Sequence, residues 1–300
     1  MTLSPRGTYL AASTYNGQMR CWRVSDGKPV WTTTRARRAW SLAFSPDESL
    51  LACSNFAGLV SLWDVATGQP LHVFEGHEDW VHSVAFHPSG RYLASGGIDT
   101  NVLIWDLQTR TLLQTLKGHG ARVWSLAFSP DGDTLVSGAG EETILIWDWR
   151  AGQVIRSLKH PSAGLVRIAF HPGGQWLATC CEENPQTLLW DVRSGDLIAS
   201  VTTRSNGPTA VAFNAAGTML INGGPDGSVE LWRLQGEHPP VYQKMLMGHH
   251  NSISVLAHGP DDLLVTLSDG GSIRLRMAGA SDSGTPRAGG FCVWWPATAV

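Results

Sequence analysis

The sequence predicts an all-β fold of seven four-stranded antiparallel sheets closed into a ring, with the first and last sheets imperfect. Three observations predict it: a unit recurring every 41 to 44 residues, two anchors that keep step through the units, and a strand–turn rhythm with no helical periodicity. The first anchor is a Phe-x-Pro junction. It appears as Leu3-Ser4-Pro5, Phe44-Ser45-Pro46, Phe86-His87-Pro88, Phe128-Ser129-Pro130 and Phe170-His171-Pro172, then decays to Phe213-Asn214-Ala215 and Ala257-His258-Gly259. The second anchor is Trp22-Arg23, Trp63-Asp64, Trp105-Asp106, Trp147-Asp148, Trp190-Asp191 and Trp232-Arg233, with Arg276-Met277 in the seventh copy.

Between the anchors each unit reads strand, turn, strand, turn, strand. In the third, Ser83 to Phe86 leads through Pro88-Ser89-Gly90 to Tyr92 to Ser95, then through Gly96 to Asn101 to Val102 to Trp105, and Leu112 to Leu116 supplies a fourth strand. A four-stranded sheet with two apolar faces is not stable alone, so neighbours must cover it, and radial stacking into a propeller does so. The units run about 1–34, 35–76, 77–118, 119–160, 161–203, 204–247 and 248–276, and 277–300 reads as an irregular tail.

The two ends depart from the plan. Only Met1 and Thr2 precede Leu3, so the innermost strand of the first unit is expected to be short, and the chain reads either as free-standing or as a piece of a longer protein. After Leu275 the tryptophan is replaced by Arg276 and Met277 to Gly290 loses periodicity. The apolar run Phe291-Cys292-Val293-Trp294-Trp295 is expected to supply the fourth strand of the seventh unit, or else to cover the edge of the first.

Composition excludes several classes. The chain is 43% hydrophobic and 16% charged, enough to fill a large core, and its net charge of −3 gives no basic field for nucleic acid. No apolar stretch approaches a membrane span, and no signal segment opens the chain. Five cysteines without a Cys-x-x-Cys read as reduced core residues of a cytoplasmic protein. No phosphate-cradling glycine loop precedes a helix, and no cofactor or metal is expected. His249-His250 are adjacent and His82 with His87 lacks acidic company, so these histidines read as solvated or turn residues rather than ligands.

The elements that recur in register, Gly76-His77 and Gly118-His119, the Phe-Ser/His-Pro turn, Leu-Ala-Ser-Gly at 93–96 and Leu-Ile-Trp-Asp at 103–106, make residues 1–276 resemble the tryptophan-aspartate (WD) repeat family of β-propellers. The resemblance implies a buried hydrogen-bond chain in the third unit, from Trp105 to Ser95, from Ser95 to His77 and from His77 to Asp99. It implies the same in the fourth unit through His119, Ser137 and Trp147, with Glu141 at the aspartate position. A hydrolase triad of Ser, His and Asp is the competing reading, but the tryptophan places the serine inside a sheet, away from any substrate. Arg35 and Arg204 stand at the histidine position of the second and sixth units, and Ala57 at the aspartate position of the second. Those sheets are expected to lean on apolar packing.

Aligned on Phe44, Phe86 and Phe128, the residue four places earlier is Trp40, His82 and Trp124, and six places earlier Arg38, Trp80 and Arg122. The resemblance implies that this end of the innermost strand, with the turn that supplies Phe56 and Ile98, forms one rim of the central channel. Aromatic and arginine side chains dominate protein-binding hot spots. The equivalents in units five to seven, Val166 with Gly164, Thr209 with Gly207 and Ile253 with Asn251, are smaller and uncharged. The expectation is a non-catalytic scaffold that holds a protein or peptide on units two to four, with no nucleic-acid or membrane partner. A sensor propeller of a larger bacterial ATPase or kinase is the alternative, and an enzyme with a small-molecule pocket the third reading.

Overall fold

In the computed structural model, residues 1–277 are described apart from Tyr15, Arg37, Leu165, Glu237, Asp261 and Asp262, together with the backbone of Cys292–Trp294. Seven antiparallel sheets, each built from consecutive strands, form the blades of a ring. The third blade shows the plan, with the innermost strand Val81–Phe86, then Tyr92–Gly97, Val102–Asp106 and the outer strand Thr111–Leu116. The innermost strand of the first blade is only Thr2–Leu3. The seventh blade has three long strands, Ile253–His258, Leu263–Ser268 and Ser272–Met277, and the short segment Cys292–Trp294 pairs along the last of these. The rest of the tail, 278–291 and 295–300, where sequence predicted irregular chain and the flanks of a closing strand, lies outside the described residues.

The apolar cores lie between blades, not within them. Seven clusters of buried side chains each draw from two neighbours: Leu42, Phe44 and Trp63 of the second blade pack on Met19 and Cys21 of the first, and Leu135 and Trp147 of the fourth on Val102 and Ile104 of the third. The ring closes in the same manner, with Leu3, Leu10 and Trp22 against Val265 and Ile273 and, among the described residues, no strand exchanged between the first and seventh blades. A blade has no core without its neighbours, which is why the repeat must close.

The junction turns reinforce these contacts. Gly90 and Gly132 supply the left-handed turn residue in the third and fourth blades, but the second blade has Glu48 there, at φ 66°. Its carboxylate accepts the Arg6 N–H at 2.7 Å and so ties the second blade to the first, which offsets a conformation that is costly for a side-chain-bearing residue. His87 and His171 bridge in the other direction, to the Gly132 and Gly217 carbonyls of the next blade at 3.0 and 2.9 Å.

The pairing corrects one alignment. His258 pairs with Leu264 as Phe128 does with Leu135, so the seventh junction is His258-Gly259-Pro260, one residue beyond the Ala257-His258-Gly259 expected from the decayed anchor.

Candidate functional site

Two groups of polar and aromatic residues stand out, one inside the blades and one at the channel mouth. Inside the third blade, His77 Nδ1 lies 2.8 Å from Asp99 Oδ2 and Nε2 lies 2.7 Å from Ser95 Oγ, which accepts the Trp105 indole N–H at 2.8 Å. Every donor meets an acceptor if Nδ1 carries the proton and Ser95 donates to Nε2. Burial pushes the Asp99 carboxyl up, but the His77 hydrogen bond and charge and the Glu78 and Asn101 N–H groups outweigh it and hold it below its ordinary value. The fourth blade repeats the set, with His119 2.7 Å from Glu141, 2.6 Å from Ser137, and Trp147 donating to Ser137 at 2.7 Å.

These are the distances of a hydrolytic triad, yet Ser95 and Ser137 are 0% exposed and their oxygens are already engaged by an indole. No substrate reaches them, so the arrangement ties strands together and does nothing chemical. The other blades vary the theme. Trp190 donates to Thr179 at 2.8 Å in the fifth, and Trp63 turns to Ser61 at 3.0 Å in the second, where Cys53 replaces the serine. In the sixth, Asn222 holds the serine position and accepts from Thr187 at 2.9 Å of the fifth blade, while Trp232 Nε1 meets no acceptor among the described residues. Arg204 of that blade stacks on Tyr242, its guanidinium carbon 3.9 Å from the ring centre. Arg35 and Ala57 of the second blade are exposed.

Two histidine readings need correction. His249 is buried and bonded to Ser272 and Thr266, both at 2.7 Å, so the seventh blade keeps the histidine with threonine at the serine position. His82 is only 5% exposed, so it is neither solvated nor a turn residue.

At the channel mouth the innermost strands of the second, third and fourth blades each carry one extra residue against their partner. Pairing passes from Ala39 to Leu42 against Asn55 to Cys53, from Val81 to Ser83 against Gly97 to Gly96, and from Val123 to Ser125 against Ala139 to Gly138. Such a bulge re-aims a side chain away from the ladder. In the third and fourth blades the unpaired residues are His82 and Trp124, and Trp40 lies in the corresponding stretch of the second. The fifth and sixth blades run through without a shift, and the seventh bulges at Ser254 instead of at an aromatic.

The result is a continuous belt. Trp80 meets Phe56 edge-on at 4.5 Å between ring centres, Phe56 meets Trp40 at 5.4 Å, Trp40 meets His82 at 5.5 Å, and His82 lies 4.3 Å from Trp124. Arg122 covers Trp124 with its guanidinium carbon 5.5 Å from the ring centre. These are favourable aromatic and cation–π separations. Trp40 and Trp80 remain 43% exposed. Arg38 is exposed at φ 59°, just ahead of the second innermost strand, and half-buried Ile98 donates its N–H to the Trp80 carbonyl at 2.9 Å. Gly97 permits that contact, since a Cβ there would overlap the same carbonyl oxygen.

Behind the belt is a channel of about 380 Å³ lined by Trp40, Phe56, His82 and Trp124 on one side and by Ile168, Ala210 and Val255 on the other. Sequence reasoning missed Arg167, among the described residues the one charged side chain of its lining. It pairs with Cys180 as Ser125 pairs with Gly138, and so faces the channel where the neighbouring blades have Ser41, Ser83 and Ser125. The opposite side of the mouth is therefore not uncharged as expected. The available signal was a lone arginine in a strand whose counterparts carry serine or alanine. Its Nε meets no acceptor among the described residues, and neither does either ring nitrogen of His82. Burial pushes the His82 pKa down to about 4, helped by the Arg122 and Arg167 charges against Asp79, so the imidazole is neutral at physiological pH.

Comparison with known proteins places these features in context. A model described as WD domain, G-beta repeat matches residues 68–106, 110–148, 152–191 and 195–233, together more than half of the chain, and one described as the anaphase-promoting complex subunit 4 WD40 domain matches 1–82. Each matched repeat ends at a Trp-Asp or Trp-Arg anchor and so spans the outer strand of one blade and three strands of the next. Among solved structures, a chain in the crystal structure of a mitotic checkpoint complex is similar at a TM-score of 0.82 and 22% identity, over 91% of this chain and 85% of that one. At that identity the likeness speaks for the fold. No curated protein matches the sequence.

Proposed function

The chain belongs to the WD-repeat family, whose propellers are generally protein-interaction scaffolds, and from that premise we propose that it holds a protein or peptide against the rim formed by its second, third and fourth blades. The observation that carries this reading is the belt from Trp80 through Phe56, Trp40 and His82 to Trp124, with Trp40 and Trp80 open to solvent. Isolated exposed apolar residues are ordinary on a protein surface, but two half-exposed tryptophans held in one contiguous aromatic array are not. Rigid rings offer a large contact area at small entropic cost, and Arg38 and Arg122 frame them with charge. Presentation on a closed ring, not chemistry, is the mechanism. The thiols of Cys21, Cys53, Cys180 and Cys181 are free and buried, which suits a reducing cytoplasm.

The test is selection of a random linear-peptide display library on the intact chain, followed by binding of the selected peptides to Trp40→Ala/Trp124→Ala. The expected result is loss of binding by a variant that melts close to the parent. Selected peptides that bind the variant equally well would place the binding surface elsewhere.

A further inference from the structure

The channel behind the rim carries an imbalance of charge and hydrogen bonding. Among the described residues Arg167 is the only charged side chain lining it; most of the others are aromatic, aliphatic or hydroxyl-bearing, and burial with the Arg167 charge lowers the Met1 amino group beside it to about 6. Among the described residues no carboxylate comes within ion-pairing distance of its guanidinium, although Glu182 and Asp269 act on it through space and burial works against its charge. Arg122, over the Trp124 ring, is a second cation nearby, and both arginines act on His82. Three buried polar atoms here, Arg167 Nε and the two ring nitrogens of His82, lack a partner among the described residues. Neutral His82 offers one donor and one acceptor, and Arg167 offers only donors. An anionic acceptor that could enter beside the aromatic rings would meet this set.

We propose that the segment captured on the rim carries an acidic side chain whose carboxylate enters the channel to meet Arg167, while its flanking apolar residues lie on Trp40 and Trp124. This rests on the rim reading above and specifies its ligand. The geometry favours a side chain of a peptide over a free small anion, because the channel opens directly onto the aromatic belt and a lone anion would leave those rings uncovered. The hydroxyls of Ser41 and Ser83 are turned to the N–H groups of Val84 and Leu126 in the next blades, whereas Arg167 Nε and the His82 ring nitrogens meet no partner among the described residues. A guanidinium–carboxylate contact in a partly water-excluded site is among the stronger polar interactions.

The experiment uses the peptides selected on the intact chain, synthesised with both ends blocked so that only side chains supply carboxylates. Enrichment of Asp or Glu at one fixed position next to apolar residues is expected. Replacing that Asp by Asn, or Glu by Gln, should weaken binding by about tenfold or more, and Arg167→Met should weaken the acidic peptide by a similar factor while leaving the amide peptide unchanged. The amide peptide on the parent chain needs no altered protein, so a variant that folds poorly does not obscure the outcome. Peptides that need Trp40 and Trp124 but show no acidic preference, or that require a free C-terminus, would overturn this inference and leave the rim standing. Peptides indifferent to Trp40 and Trp124 would remove the rim itself.

Discussion

The third and fourth blades and the sixth share one strand plan yet differ in almost everything polar. The former carry complete hydrogen-bond sets from tryptophan to carboxylate and a bulged aromatic residue at the channel mouth. The sixth has Asn222 in place of the serine, an indole N–H at Trp232 without an acceptor among the described residues, and an innermost strand without a bulge. All three are nonetheless enclosed by apolar clusters built from adjacent blades. Interblade packing therefore makes the ring, while the polar set and the bulge are separable local additions, the first tying a blade together and the second gathering the aromatic belt at the channel mouth.

The sharpest way to break this comparison is to remove the site and keep the blades. Trp40→Ala/Trp124→Ala should lower affinity for rim-selected peptides by about a hundredfold or more, as expected for truncating two hot-spot aromatics, with little change in thermal midpoint. A large fall in the midpoint would show the rings to be packing residues and the two additions to be one.

Next in size is the polar set. Ser95→Ala or Ser137→Ala removes the shared partner of an indole and an imidazole inside a blade and should cost about 1–3 kcal/mol in denaturant unfolding. Loss of less than about half of that would mean the third blade depends on packing as much as the sixth does.

Acid should expose the buried histidines. His82 and His249 are held near 4 by burial first and then by neighbouring arginines, with His250 also acting on His249, while an unfolded chain protonates them near 6.5. Their contribution is complete above pH 6.5 and is lost as the pH falls towards 4, because the unfolded state takes up protons that the folded state refuses. A thermal midpoint that declines over this range, and declines less steeply in His82→Phe, is the expected outcome. An unaltered pH profile in the variant would mean that His82 titrates freely.

The smallest effect should be Trp232→Phe, which removes an N–H that already lacks an acceptor. A change within about 0.5 kcal/mol is expected, against about 1 kcal/mol for Trp105→Phe, whose N–H bonds Ser95. Equal losses would show that Trp232 is satisfied in solution.

Much of this was legible because the repeat fixes spacing. Trp105, Ser95, His77 and Asp99 keep the spacing of the WD-repeat pattern, so the resemblance implied where they meet, and it implied likewise that Trp40, His82 and Trp124 share one rim. What spacing does not encode is an inserted residue. The bulges are absent from the fifth blade, so counting back from Phe170 sets Val166 at the place of Trp124, while its pairing with Cys181 puts it where Val123 pairs with Ala139; Arg167 keeps step with Ser125 throughout and escapes a reading centred on the bulged positions. The same slip hid the seventh blade: once His258 replaced the aromatic anchor, the register moved by one, and His249 looked like a surface residue although Thr266 and Ser272 enclose it.

The seam between the seventh and first blades has a mechanical consequence. At the six other junctions the polypeptide runs on from blade to blade, so neighbours stay leashed even if their contact parts. Here, among the described residues, the join is made by Leu3, Leu10 and Trp22 resting on Val265 and Ile273, and no described strand crosses it. The ring thus behaves as a split washer, with one place where thermal breathing or pulling can spread it. Because the channel bore is set by the circumference, transient opening at that gap would widen the mouth beside the first and seventh blades, and exchange of amide hydrogens should be fastest along that gap.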